Sequence, residues 1–259
     1  MTASIGFTLA RALRKGETVW ASWCTLPYPL VAELLGGEGF PAVVLDQQHG
    51  LWDTAATLAG IAAIHHGGAA PIVRVPIGDF ATVSRALDFG AEAVIAPMIN
   101  TAADARAFVA AAKFPPIGER SWGPHRAMTF AGISEADLYL REGNDLTVTL
   151  AMIETRSALD NLDAILATPG IDGVFVGPFD LSIALAQGRS VDPDSPKVTD
   201  ALGKIADAAN NAGKIAGIFC HESKRAPALA KRGFRFIAAG TDIGFLRAGL
   251  AASRRDLKR

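Results

Sequence analysis

Residues 172–182 read DGVFVGPFDLS. The run from Asp172 to Val176 is continuously apolar after its first residue. That is how a strand covered on both faces of a parallel sheet reads, whereas a half-exposed strand alternates. From Gly177 to Ser182 the chain then passes from strand to helix. Seven more runs of the same kind lie around it: Thr18 to Cys24, Pro41 to Asp46, Pro71 to Val75, Ala93 to Met98, Thr147 to Ile153, Lys214 to Phe219 and Phe234 to Ala239. Between them stand segments with helical spacing and Ala, Leu, Arg and Glu content: Pro29 to Leu35, Thr54 to His66, Phe80 to Phe89, Ala102 to Lys113, Ser157 to Leu166, Asp200 to Ala212, Glu222 to Arg232 and Ile243 to Arg254.

Strand and helix alternate without a linker, and the helices supply the crossovers that parallel strands need. Gly36-Gly37, Gly67-Gly68, Gly90, Gly213 and Gly233 follow helices and are expected to form left-handed caps. Eight such units in 259 residues favour an α/β fold of the (β/α)8 type, a TIM barrel forming a single domain over residues 1–259. An open doubly wound sheet is the alternative, because closure does not follow from pattern alone. Two longer connections, Phe114 to Asp145 and Asp180 to Pro196, are expected to sit over the catalytic face.

Composition narrows the function. Half of the residues are hydrophobic, and 25 Lys and Arg against 26 Asp and Glu leave a net charge of -1. No broad basic field for nucleic acid or an anionic membrane follows from such a balance, so small molecules are the expected partners. The two cysteines, Cys24 and Cys220, suit neither a zinc cluster nor a disulfide framework and read as buried thiols in a reducing compartment. Arg11, Arg14 and Lys15 follow the first apolar stretch rather than precede it, the wrong order for a secretory signal. Every longer apolar stretch is interrupted. The expectation is a cytoplasmic protein.

In a parallel barrel the active site gathers at the C-terminal ends of the strands. Glu154 ends the fifth run and Asp180 follows the sixth, so two carboxylates on adjacent strand ends suit a hard divalent cation that prefers oxygen ligands; a pair of solvated loop acids is the alternative. Asp46 and His49 follow the second run at a spacing that lets a carboxylate orient an imidazole for acid/base work, against a histidine that merely caps the loop. Arg74 is committed to an apolar strand, where it needs an anion: a substrate oxyanion, or an internal carboxylate. Backbone N–H groups at Gly177 to Ser182 are placed to hold a substrate carboxylate at a helix start. His65, His66 and His221 lack such a setting and read as structural. No phosphate-cradling or dinucleotide motif is present, and no lysine at these strand ends supports a Schiff-base aldolase.

At these residues the chain resembles the HpcH/HpaI aldolase family, the class II pyruvate-dependent aldolases. AELLGGEGF, VVLDQQHG, VRVP, APMINTAADA, KFPPIGER, MIETRSALDNL and DGVFVGPFDLS occur in order, and the likeness runs from Trp20 to about Leu250. The resemblance implies Mg2+ or Mn2+, with Co2+ or a similar ion also admissible, on Glu154 and Asp180. It implies a 2-oxo acid chelated there, Arg74 stabilising its enolate, and His49 with Asp46 moving protons. Amides around Phe179 and Asp180, next to Gly177 and Pro178, would receive the pyruvate carboxylate, and Trp23 would wall the pocket. The same likeness implies a homohexamer built as a trimer of dimers, helix swapping within each dimer, and an aspartate from a neighbouring subunit at the position of Asp88.

The chain departs from that family at Gln47-Gln48, where Gly-Glu is common, and at Met152, where Gln is frequent. Both departures change polarity near the expected metal, so donor, metal and pH preference do not carry over, and hydroxypyruvate is as credible a donor as pyruvate. The loop from Gly118 to Arg126 offers cations and aromatics, with Arg126 a candidate for recognising the acceptor aldehyde; a subunit contact is the alternative. The activity implied is reversible aldol cleavage of 4-hydroxy-2-oxo acids. Its rivals are an oxaloacetate-type decarboxylase, an acyl-CoA lyase resembling citrate lyase β subunits, and a non-catalytic barrel.

Overall fold

The computed structural model of the chain describes residues 6–257. Parallel strands β1 (Val19–Cys24), β2 (Ala42–Asp46), β3 (Ala70–Arg74), β4 (Ala93–Ala96), β5 (Val148–Ile153), β6 (Gly173–Val176), β7 (Ile215–Cys220) and β8 (Phe236–Thr241) pair in chain order, and β8 returns to β1. The sheet is therefore a closed barrel, as the sequence pattern favoured. Around it run α1 (Leu9–Arg14), α2 (Pro29–Gly37), α3 (Thr54–His66), α4 (Phe80–Phe89), α5 (Ala102–Ala112), α6 (His125–Ala131), α7 (Ala136–Leu146), α8 (Arg156–Asp160), α9 (Leu162–Leu166), α10 (Pro178–Leu185), α11 (Pro196–Asn211), α12 (Ala226–Lys231) and α13 (Asp242–Asp256). None of these helices is long and apolar enough to cross a membrane.

Period-two alternation along each strand sorts side chains into two buried layers. Val43, Leu45, Val73, Val94, Ile153 and Val176 face the helices, whereas Ala42, Val44, Ala70, Ile72, Ile95, Leu150 and Phe175 fill the barrel. Each fully buried aliphatic or aromatic side chain contributes about 1.5–3 kcal/mol relative to exposure. Helix α1 closes the N-terminal end, with Leu9, Ala10 and Leu13 joining the interior layer. The same parity continues to the other end, where Trp23, Asp46, Arg74 and Met152 are the last inward positions of their strands.

Three local expectations change. Helix α2 runs through Gly36 and Gly37, and Gly39 adopts the left-handed conformation instead, at φ +109°. The helix expected over Ser157 to Leu166 divides into α8 and α9 at Asn161, whose Nδ2 donates to the Ser157 carbonyl and competes with the backbone. The connection from Phe114 to Asp145 follows helix α5, so it returns toward the start of β5, away from the catalytic face. It contains α6 and α7, and with Phe7 and Phe114 these bury a satellite cluster of Ala127, Met128, Ala131, Ile133 and Tyr139.

Helix α13 is buried only at Asp242. Ile243, Leu246 and Leu250 recur at helical spacing on it and are exposed, Leu250 by 65 %, while on α2 Leu30 and Leu34 are exposed by 75 % and 59 %.

Candidate active site

A cavity of about 200 Å3 opens at the C-terminal end of the barrel, lined by Trp23, His49, Arg74, Met152, Phe175, Gly177, Pro178, Phe179, Asp180 and Phe219. Its floor is set by register: Asp46 on β2 stands opposite Arg74 on β3. Arg74 Nε donates to Asp46 Oδ1 at 2.8 Å and Nη2 donates to Oδ2 at 2.7 Å, a bidentate pair in which Asp46 is 1 % exposed. The Trp23 indole N–H donates to Asp46 Oδ2 at 3.1 Å, and the Arg74 guanidinium lies 4.8 Å from the Trp23 ring centre. Burial alone would raise the Asp46 carboxyl. The Arg74 hydrogen bonds and charge, with help from Trp23 and the His49 N–H, outweigh burial and hold it below the ordinary carboxylate value.

This pair corrects the expected Asp46–His49 unit. Asp46 Oδ1 accepts the backbone N–H of Gln48 at 3.0 Å and of His49 at 3.2 Å, so the carboxylate shapes the turn and leaves the imidazole exposed at the rim. Arg74 had two readings, an internal ion pair and a ligand oxyanion. The first is present, and Nη1 remains for the second.

Glu154 lies one inward step beyond β5, 2 % exposed, and its Oε1 accepts the Met98 N–H at 2.8 Å. Burial raises its carboxyl above the ordinary value; the Met98 N–H opposes the rise, the charge of nearby Asp180 adds to it, and Arg74 opposes it. A Cβ at Gly177 would stand 2.8 Å from Glu154 Oε2, so only glycine lets the start of α10 approach that oxygen. Glu154 thus sits directly behind the cavity wall, with Asp180 exposed in front of it. Two carboxylates of like charge, one buried with a single N–H donor, form a donor set suited to a hard divalent cation. Among the described residues no group of three or more His, Cys, Asp or Glu is arranged to hold a metal, so ligand and water oxygens would complete the shell.

The sequence profile of the HpcH/HpaI aldolase/citrate lyase family matches residues 21–248. The chain belongs to that family. It is 40 % identical over 234 residues to a hydroxypyruvate/pyruvate aldolase of Rhizorhabdus wittichii, covering 90 % of this chain and 92 % of the relative. It is 36 % identical over 237 residues to a 4-hydroxy-2-oxovalerate aldolase of Novosphingobium aromaticivorans, covering 89 % and 87 %. A crystal structure of an HpcH/HpaI aldolase/citrate lyase family protein from Burkholderia cenocepacia superimposes with a TM-score of 0.88 at 30 % identity, covering 98 % of this chain and 100 % of that one. The protein is a carbon–carbon lyase of the aldolase type, as the motifs implied.

Arg126 lies away from this chain's own cavity, as does Asp88, which was expected from a neighbouring subunit. Asp88, at the end of α4, accepts a 2.6 Å hydrogen bond from Arg120 Nη2, and Arg120 in turn lies 4.5 Å from the Phe114 ring centre. Arg126 on α6 lies 5.4 Å from the Phe130 ring centre, and Phe130 stacks on His65 at 4.2 Å. Neither lines the cavity: Asp88 sits at the end of α4, and the segment carrying Arg120 and Arg126 follows a helix rather than a strand. Phe175 and Phe219 do line it and were not singled out from sequence. Inward parity on β6 and β7 is the signal that identifies both, and Phe219, which continues the inward series of Ile215 and Gly217, is half-buried because it faces the cavity. Met98 was also missed, since its contribution is a backbone N–H.

Proposed function

We propose that the protein catalyses reversible aldol cleavage of 4-hydroxy-2-oxo acids to pyruvate or hydroxypyruvate and an aldehyde, with a divalent cation, Mg2+ or Mn2+, held by Glu154 and Asp180. The observation that carries this reading is that Asp180 and Arg74, the latter held by Asp46, line one small cavity while Glu154 lies buried directly behind its wall at Gly177. Bound there, the ion supplies positive charge to the oxygens of the 2-oxo acid.

The chain's own groups do the rest. Asp46 occupies Nε and Nη2 of Arg74 and so fixes the guanidinium plane, leaving Nη1 to meet the oxygen on which enolate charge develops. The N–H groups of Phe179 and Asp180 lie in the first turn of α10, where helical N–H groups have no carbonyl partner, and receive the donor carboxylate. His49 takes the proton of the 4-hydroxyl as the carbon–carbon bond breaks. The bonding pair passes to the 2-oxo acid as its enolate, the aldehyde leaves, and protonation of the enolate carbon releases the 2-oxo acid. Trp23, Phe175 and Phe219 exclude water from the reacting carbons.

We further propose that the catalytic domain spans the chain and that it works in the cytoplasm, which suits its two buried free thiols. The exposed apolar residues of α13 and α2 support assembly of several copies, the hexamer implied by the family with neighbouring copies bringing Asp88 to each cavity. Product analysis tests the activity: metal-loaded protein is incubated with pyruvate or hydroxypyruvate and a panel of neutral and acidic aldehydes. Aldol adducts that vanish with a chelator and return with Mn2+ or Mg2+ support the reading. Full activity in chelated protein, or carbon dioxide release from oxaloacetate without any adduct, excludes it.

A further inference from the structure

The hydrogen bonds behind Glu154 close on themselves. Glu154 Oε1 accepts the Met98 N–H at 2.8 Å, the Met98 carbonyl accepts from Asn100 Nδ2 at 3.1 Å, and Asn100 Oδ1 accepts from the hydroxyl of Thr155, the residue after Glu154. Within this ring Met98 has φ +56°, a left-handed conformation that costs a non-glycine residue on the order of 1 kcal/mol and persists only where neighbours impose it. In that conformation the Met98 N–H meets the carboxylate while its carbonyl meets Asn100.

Asn100 is the neighbour whose side chain holds the Met98 carbonyl. Its backbone N–H donates to Asp104 Oδ2 at 3.1 Å and its carbonyl accepts from Asn161 Nδ2 at 3.0 Å, so all four of its polar atoms are engaged. The Met98 carbonyl can only accept, which fixes the amide with Nδ2 toward it. Helix capping does not explain the side chain, because Thr101 and Asp104 complete the capping box of α5 between themselves. Fixing Glu154 Oε1 from behind leaves Oε2 against Gly177 at the cavity wall.

We propose that Asn100 is a positioning residue for the divalent cation: through the left-handed Met98 peptide it holds Glu154 in the orientation that presents Oε2 to the ion. This rests on the reading of Glu154 as a cation ligand. Partners that orient a ligand are worth about 10–100-fold in metal affinity.

The test measures Mn2+ affinity by calorimetry on the chelator-treated, otherwise intact protein, with Tm recorded for each variant. Glu154→Gln reports on the site itself. Asn100→Asp keeps the acceptor for Thr155 but cannot donate to Met98, and Asn100→Ala removes both. The expected result is a large loss of Mn2+ affinity in Glu154→Gln and a loss of about 10–100-fold in Asn100→Asp and Asn100→Ala, with no matching order in Tm. If Glu154→Gln loses affinity while Asn100→Asp binds as the parent does, or if losses across the Asn100 variants track falls in Tm, this inference is overturned and the site reading stands. If the parent protein binds no Mn2+, or Glu154→Gln binds equally well, both fall together.

Discussion

Arg74 and Asp46 face each other across neighbouring strands and share two hydrogen bonds of 2.8 and 2.7 Å beneath the cavity. The pair makes Arg74 a rigid donor, because one edge of its guanidinium is committed before any ligand arrives. Arg74→Lys replaces the planar fork by a point charge and is expected to lower kcat/KM for aldol cleavage by about 10²–10³-fold. Arg74→Met leaves Asp46 buried and unpaired, so it is expected to cost about 3–5 kcal/mol of stability as well. Steady-state kinetics and urea denaturation separate the two effects; a fully active Arg74→Lys protein would remove Arg74 from the chemistry.

Gly177→Ala places a Cβ 2.8 Å from Glu154 Oε2 and 3.1 Å from Met152 Cε. Methionine can swing away, whereas the carboxylate is anchored at Oε1 by Met98. The expected outcome is a loss of about 1–3 kcal/mol of stability, together with weaker Mn2+ binding. Wild-type values for both in a denaturation and calorimetry series would show that the carboxylate has room to move.

Glu92, 2 % exposed beneath the barrel, accepts the N–H groups of Thr8 at 2.8 Å and Leu9 at 2.9 Å. Burial raises its carboxyl from the ordinary 4.5 to about 7 despite those two donors. A folded-state value above the unfolded one means that the favourable, protonated state is fully present below 4.5 and is lost as pH rises to about 7. Relative to Glu92→Gln, which does not titrate, the parent protein is therefore expected to lose up to about 3 kcal/mol across that window and then run parallel. Denaturation midpoints of both proteins at pH 4.5, 6 and 8 read this directly, and curves parallel throughout would disprove it.

Leu246→Glu and Leu250→Glu, singly or together, put charge on the exposed apolar stripe of α13. If that stripe is an interface between copies, sedimentation should show a smaller assembly, with the barrel's far-ultraviolet circular dichroism unchanged. An unaltered sedimentation coefficient would assign the stripe no role in assembly.

The strands were legible because β1 to β8 are covered on both faces, which leaves runs such as Ala-Val-Val-Leu at 42–45 with no polar interruption. Glu154, Asp180, Arg74 and His49 were legible for the complementary reason: each interrupts or ends such a run where a barrel gathers its chemistry. The partner of Arg74 was not. Asp46 was read as the partner of His49, three residues away, and only the β2–β3 register put it opposite Arg74 instead. The connection carrying Arg126 was expected over the catalytic face and runs elsewhere, since a loop's length says that it can carry function but not which end of the barrel it crosses.

Residue pattern by itself therefore determined the eightfold alternation, the family motifs and the identities of the cavity's charged groups, because burial and backbone periodicity act on neighbours along the chain. Tertiary structure alone decided which charges meet, how Met98 and Asn100 stand behind Glu154, and which glycine admits α10 to it. The contacts made on Arg74 and Glu154 join residues 23 to 56 positions apart, and such separations are set by strand register and barrel closure, neither of which any local stretch of sequence encodes.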